Sequence, residues 1–460
     1  MSQCSNLKLD FSPRNFQSSK ATLEEWRNDQ TKISTLQTLS VRYYWNDDEH
    51  DDPVYQDLIN ALLQFFASGN HLLQNFQTLN WNVESEPPPS LLLIFETNYP
   101  SWSIHLKCIP RSPGIFSSPA VTSLTVKLGQ NNIALDEKAL PNVQSTIQNL
   151  KNLKRLRLSV GVSGCIQYNY STDFADNGGT FPPLEELVLE WFSVTQRCGE
   201  YWMNAMDWSH LRVLDFREGS LSIPFLSLLL PIADKLPALE SIGMSLPFWM
   251  KEDLRKQDDD ANSSFSLIRQ LFSTARPQSL RDVRIWGCSR LFLPDIINHH
   301  GASLKGLSLH EGEVPSEDSQ RTPLSVEDLT EIGAYFKGLE VLALDVNISK
   351  EHAWPEDVIG ALASPLFSSL KKLTVFSLLG ISGSPERGSA RALATTEEDV
   401  KSLSSSLSAT SLKEIKVRIG EKRTVRGRPA GWVLWEKDCC KTVTMNREAD
   451  EWLLSSVNRL

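Results

Sequence analysis

One pattern returns along most of this chain and limits what it can fold into. An apolar residue is followed by two of any kind, a second apolar residue, one of any kind, and a third. Several copies carry Ser before the first apolar residue and a basic residue after it, as in QSLRDVRI (278–285), ASLKGLSL (302–309), SSLKKLTV (368–375) and TSLKEIKV (410–417). The triplets begin as Leu36/Leu39/Val41, Phe76/Leu79/Trp81 and Val121/Leu124/Val126, and become regular with Leu153/Leu156/Leu158 and Leu184/Leu187/Leu189. Leu211/Leu214/Phe216, Leu239/Ile242/Met244, Leu280/Val283/Ile285 and Leu304/Leu307/Leu309 follow, then Leu339/Leu342/Leu344, Leu370/Leu373/Val375 and Leu412/Ile415/Val417. The mean period is about 34 residues, longer than the usual leucine-rich range of roughly 20–29.

Alternate residues of a strand face opposite sides, so the last two apolar positions of each triplet point into one core and the first sits at the bend before it. Between triplets the period turns helical. SVEDLTEIGAYFKGL (325–339) places Val326, Leu329, Ile332 and Phe336 on one face, with Ser325 and Asp328 in capping-box positions. TTEEDVKSLSSSL (395–407) predicts the same start, with Thr395 three residues before Glu398. A unit of one strand and one helix cannot bury its own apolar face, so such units must stack. The expected fold is an α/β leucine-rich-repeat solenoid, or horseshoe, with parallel strands on the concave face and helices on the convex face. Ser-Leu-Lys/Arg then ends each helix and enters the next strand, with Leu as core anchor and the basic residue solvated. Residues 1–30 read as an irregular N-terminus or a partial first repeat, since Cys4, Leu7 and Leu9 fit the pattern. Residues 31–419 read as the solenoid. Residues 420–460 read as its C-terminal cap: IKVRIGEKRTVRGRPAGWVLWEK (415–437) predicts a hairpin, and NREADEWLLSSVNRL (446–460) predicts a closing helix.

At 460 residues the chain exceeds the size of one compact core, which favours several domains or an elongated array. Its net charge of −10 argues against general nucleic-acid binding. Seven cysteines form no CxxC pair, which favours a reducing compartment, and the start lacks a signal-peptide apolar segment. The expected location is cytoplasmic or nuclear, with no membrane association. No phosphate-loop, dinucleotide or zinc-protease motif occurs, and GVSGC (161–165) and GISGS (380–384) fall short of a nucleophile elbow. His299, His300 and His310 have no Cys or acidic residue at ligand spacing and read as solvated loop histidines. No catalytic residue, metal or cofactor is expected.

The repeats SLKGLSL (303–309), NLKRLRL (152–158), GLEVLAL (338–344) and PPLEELVL (182–189), with the tail RPAGWVLWEKDC (428–439) and NREADEWL (446–453), resemble the leucine-rich half of fungal F-box proteins. That resemblance implies a substrate-recognition component of an SCF-type ubiquitin ligase, in which an F-box docks the ligase adaptor and the repeats hold the ubiquitination substrate. The first thirty residues lack the Leu-Pro start and tightly spaced helical Leu and Ile of an F-box. The expectation is a chain that begins after its F-box or has lost it, with a stand-alone leucine-rich-repeat adaptor as the alternative.

A concave face would carry the residues that alternate with the core positions. Its expected partner-binding set is Arg157, Glu190, Arg217, Arg284, Trp286, His310, Asp345 and Phe376. Aromatic residues and arginines dominate binding hot spots, and a face on the order of 55 Å long suits a protein partner. Inserted loops covering Trp286 and Phe376 would instead make these two residues core. Lys413, Lys416, Arg418, Lys422, Arg423, Arg426 and Arg428 form a basic stretch near the C-terminal end, read as a solvated hairpin, with binding of nucleic acid or of an anionic partner as the alternative. The functional expectation is a non-catalytic protein-interaction scaffold.

Overall fold

The computed structural model describes residues 5–12, 14–43, 53–68, 72–83, 86–98, 101–108, 117–128, 139–160, 174, 176–192, 194–217, 223–246, 264–275, 278–287, 289–311, 323–346, 348, 353–377, 396–419, 441–448 and 451–459. It is an α/β structure whose strands form mostly parallel open sheet, organised in two compact units that meet in sequence at Leu211 and Arg212.

In the first unit the strands are β1 (Ser5–Asp10), β2 (Leu36–Tyr43), β3 (Thr78–Val83), β4 (Ser103–Lys107), β5 (Val121–Leu128), β6 (Arg155–Val160) and β7 (Glu186–Glu190). Each pairs parallel with the next in chain order. Parallel neighbours need a crossover between them, here supplied by helices such as Phe16–Asn28, Pro53–Ser68 and Pro89–Asn98, which pack one on the next. Leu7 and Leu9 are buried on β1, so residues 5–10 continue the strand series ahead of Leu36, while Cys4 lies outside the described residues.

All twelve triplets enter strands, but β4 is one strand more than the pattern predicts. Ile104 and Leu106 take the second and third apolar positions, in register with Leu79 and Trp81. The first position is Ser101, so the motif is broken there. An aromatic cluster of Phe66, Phe76, Phe95 and Trp102 fills the region instead, with Phe76 and Trp102 edge to face at 4.3 Å. The step from Phe76 to Val121, which reads in sequence as one long repeat, is two.

The second unit contains β8 (Val213–Arg217), β9 (Ser241–Ser245), β10 (Asp282–Trp286), β11 (Gly306–His310), β12 (Val341–Asp345), β13 (Lys372–Ser377) and β14 (Glu414–Ile419), again parallel and in chain order. Helices Ile223–Leu229, Ser264–Thr274 and Leu293–His300 pack in sequence, as do Val326–Tyr335 and Glu356–Leu362.

In three of its copies the serine of the Ser-Leu-basic motif bonds back to a backbone carbonyl of the preceding segment. The Ser303 hydroxyl donates to the Leu280 carbonyl at 2.8 Å, Ser369 to the Lys337 carbonyl at 3.0 Å, and Ser411 to the Ser368 carbonyl at 2.7 Å. Leu304, Leu370 and Leu412 are buried. The carbonyl of the next residue accepts two backbone N–H groups from the following repeat: Lys305 from Glu340 and Val341, and Lys371 from Lys413 and Glu414. The basic residue is not merely solvated, as expected above. Lys371 pairs with Glu340 at 2.6 Å and Lys305 approaches the same carboxylate at 3.9 Å, while Lys154–Glu185 and Arg212–Glu240 close at 2.8 Å. A residue that begins each strand lies beside its counterpart in the next, so alternating charge there becomes a ladder. Pairs this exposed add little stability.

The C-terminal expectation is corrected. Residues 446–460 were expected to form a helix; Lys441–Glu448 is strand β15, antiparallel to β14, and Glu451–Arg459 is strand β16, antiparallel to β15. Leu453, Leu454 and Val457 mimic helical spacing, but β15 offers an open row of backbone donors and acceptors, and ladder hydrogen bonds outweigh that short apolar period. The expected hairpin at 415–437 begins in β14, and residues 420–440 lie outside the described residues. So do Cys165, Cys288, Cys439 and Cys440. Cys108 and Cys198 are buried. No helix among the described residues is long and apolar enough to cross a membrane.

Candidate functional site

In β10 the residues alternate between buried Val283 and Ile285 and partly exposed Asp282, Arg284 and Trp286. Carried across the second unit by strand register, the latter set forms a polar face in three rows. Asp215, Gly243, Arg284, Ser308, Ala343, Thr374 and Lys416 share the middle row.

A charge cluster spans β8 to β10. Asp215 is buried, at 4 % exposure, and accepts from Arg217 Nε at 2.7 Å while Arg284 Nη1 lies 3.5 Å away on the strand after next. Between them is Gly243 of β9. A side chain at that position would overlap the Asp215 carboxylate, so the glycine is what lets an aspartate lean across one strand toward an arginine on the next. The same device recurs at Gly306, beside Asp282. Arg284 Nε lies 3.1 Å from Asp282 Oδ2, close enough for an ion pair but not aligned for a hydrogen bond, and Asp282 accepts from the Ser241 hydroxyl at 3.0 Å. A buried carboxylate requires such partners.

An aromatic group follows in the third row. His310 and Phe376 stack at 3.9 Å, and Trp286 meets both edge-on, at 5.2 Å and 6.1 Å. The β11–β12 ladder runs from Gly306↔Val341 to Ser308↔Ala343. Beyond it, Asp345 replaces strand bonds with side-chain ones, accepting from His310 Nδ1 at 2.6 Å and from the Glu311 backbone N–H at 2.5 Å. The Arg418 guanidinium lies over Phe376, 5.6 Å from the ring centre.

The expected partner-binding residues therefore separate. Arg217, Arg284 and Trp286 remain partly exposed on the polar face of the second unit. His310, Asp345 and Phe376 are on that face but buried, at 1 %, 4 % and 6 % exposure, held by one another rather than presented to a partner. Arg157 and Glu190 lie in the first unit and form an ion pair across β6 and β7. Nearby, Arg155 Nη2 is 2.9 Å from His105 Nε2. Burial, reinforced by that guanidinium, lowers the His105 pKa to about 4, so the ring is neutral and accepts the bond.

The histidine expectation is also corrected. His300 is buried at the end of helix Leu293–His300 with Nε2 donating to the Phe272 carbonyl at 3.0 Å, and His310 is buried in β11. Neither is a solvated loop residue. Among the described residues no group of three His, Cys, Asp or Glu side chains is arranged to hold a metal ion.

Asp282 is absent from the expected set, which holds residues between and after the last two core positions of a triplet. Extending the alternation one step back identifies it. Gly243 carries no such signal, since its role appears only when the Asp215 side chain is placed over it. No protein-family model matches this chain, and no curated protein is similar enough to count as a relative.

Proposed function

We propose that the chain is a leucine-rich-repeat solenoid acting as a non-catalytic protein-interaction scaffold, with the polar face of the second unit as its principal contact surface. The observation that carries this reading is the half-buried Trp286, held edge-on by His310 and Phe376 and flanked along its strand by Arg284. A fixed aromatic ring beside a guanidinium has little conformational freedom left to lose, and such residues dominate binding energy. The titratable side chains around it are committed to each other, which suits recognition better than proton transfer. The resemblance to fungal F-box proteins supports a role in selecting substrates for an SCF-type ubiquitin ligase, and the second reading is an adaptor unconnected to ubiquitination.

The test is affinity capture with the tagged full-length chain, comparing wild type with Trp286→Ala. Partners lost from the variant while its melting temperature stays within about 3 °C support the surface. An unchanged partner set removes Trp286 from recognition and sinks the reading of this face. Recovery of a cullin and its F-box adaptor supports the ligase role, whereas partners without them favour the stand-alone adaptor. Arg284→Ala is a poorer probe, because it strips a cation from buried Asp215 and would destabilise the fold directly.

A further inference from the structure

The arginines of the polar face are not equivalent. Arg217 is held by Asp215, and Arg284 lies between Asp282 and Asp215. Lys416 reaches Glu414 at 3.8 Å. Arg418, in the same row as Phe376 and Thr442, has no carboxylate among the described residues, and its Nε is buried without a hydrogen-bond acceptor. Burial pulls its pKa below the ordinary value, with no opposing charge to offset it. The nearest carboxylate of the aromatic group, Asp345, is occupied by His310 and the Glu311 N–H. The guanidinium carbon lies over the Phe376 ring, 5.6 Å from its centre, and the ring does not neutralise it.

A partly desolvated cation placed over an aromatic ring and lacking an anion is an incomplete pair. We infer that Arg418 and the adjoining Trp286–His310–Phe376 group form a binding site for an acidic peptide segment, the guanidinium taking an anionic side chain of the partner and Trp286 packing against a neighbouring apolar one. This rests on the scaffold reading above and specifies the chemistry of its partner. A guanidinium fork matches a carboxylate or a phosphoester in two parallel hydrogen bonds, so the shared chemistry is a planar-bonding oxyanion. A nucleic-acid strand fits less well. His310 and Phe376 are too buried to stack bases, and Asp215 and Asp282 keep Arg217 and Arg284 engaged, so the face offers no row of free cations to a continuous phosphate backbone. A single anionic side chain needs only Arg418. Within the described residues the basic stretch noted in the sequence comprises Lys413, Lys416 and Arg418, and Arg418 is its one arginine.

The experiment is fluorescence polarisation on the full chain with four labelled probes: an alternating Glu-Leu peptide, its Gln-Leu and phosphoserine-Leu counterparts, and oligouridine. The variants are Arg418→Gln, Arg418→Lys and, as control, Arg269→Gln, which breaks an exposed pair with Asp295. The expected result is saturable binding of the Glu or phosphoserine probe, weakened about tenfold by Arg418→Gln, partly restored by Arg418→Lys and unaffected by Arg269→Gln, with the Gln probe weak throughout. Preference between the two anionic probes identifies carboxylate or phosphate as the source. Phenylglyoxal labelling of wild type, with Arg418 protected by the bound probe, gives the same answer should Arg418→Gln unfold. Binding indifferent to Arg418, no binding by either anionic peptide, or tighter and steeply salt-dependent binding of oligouridine overturns the proposal. Those failures leave the Trp286→Ala capture result standing, so the anion assignment and the scaffold reading fall separately.

Discussion

Two histidines record burial most clearly. His105 is held near a pKa of about 4, against an ordinary value of 6.5, and burial also lowers that of His300. Above pH 6.5 both rings are neutral whether the chain is folded or not, so neither affects stability. As pH falls below 6.5 the unfolded chain binds protons that the folded chain refuses, and stability declines, for His105 down to about pH 4. His105 is half-buried, so solvent screening reduces its share, whereas His300 is enclosed. His300→Gln keeps a donor for the Phe272 carbonyl and cannot be protonated. Denaturant midpoints measured between about pH 7 and pH 4 should therefore fall less steeply in His300→Gln than in wild type. Equal slopes would show that His300 takes up its proton in the folded state. Gly243 makes the complementary point at this scale: a residue with no side chain is required because a neighbouring carboxylate occupies the space.

At the scale of elements, helix starts follow local chemistry and strand partners do not. Ser325 and Asp328 form the reciprocal capping box that their spacing predicts. The second box is Thr396 with Asp399, one residue later than Thr395 and Glu398. Both spacings satisfy the motif, and the one adopted places Val400 and Leu403 in the core. Thr395 lies outside the described residues. Ser325→Ala and Thr396→Ala should each cost about 1 kcal/mol, and because they cap different helices the double variant should lose the sum. Denaturant titration of the four proteins tests this, and a loss at Thr396 below about 0.3 kcal/mol would argue against the box. The β4 repeat and β16 show where local reading gives out. Trp102 and the phenylalanines around it fill space that the pattern reserves for a leucine, and β16 forms because β15 exposes an unpaired edge. Neither cause lies within the segment it shapes.

At the scale of the molecule, the described strands of each unit bond to strands adjacent in chain order, so contacts are built from neighbours outward. In such a series a local loss of packing spreads first to adjoining strands and the helices on them. Leu342 of β12 is fully buried, and Leu342→Ala should cost roughly 2–5 kcal/mol. Hydrogen exchange by mass spectrometry should then show protection falling in β11, β12 and β13 before β8 and β9. A uniform fall across the second unit would mean that it unfolds as one cooperative body.

The amino-acid sequence alone determined where most of the strands lie, which of their residues turn inward, and which three residues begin each regular repeat. Each of these depends on periodicity within a few neighbouring positions. Alternation is legible wherever one face is dry, as where Val283 and Ile285 alternate with Arg284 and Trp286. The charge after each anchor leucine was equally legible, though not its partner. Only the tertiary structure decided which outward residues remain available. Asp215, His310, Asp345 and Phe376 occupy the same kind of position as Arg284 and Trp286, yet they are buried because side chains from other repeats reach them. Connections of unequal length between strands leave the sequence distance between such partners irregular, so no spacing along the chain marks them. Strand register sets them side by side, and of the arginines on that face Arg418 is left, among the described residues, without a carboxylate partner.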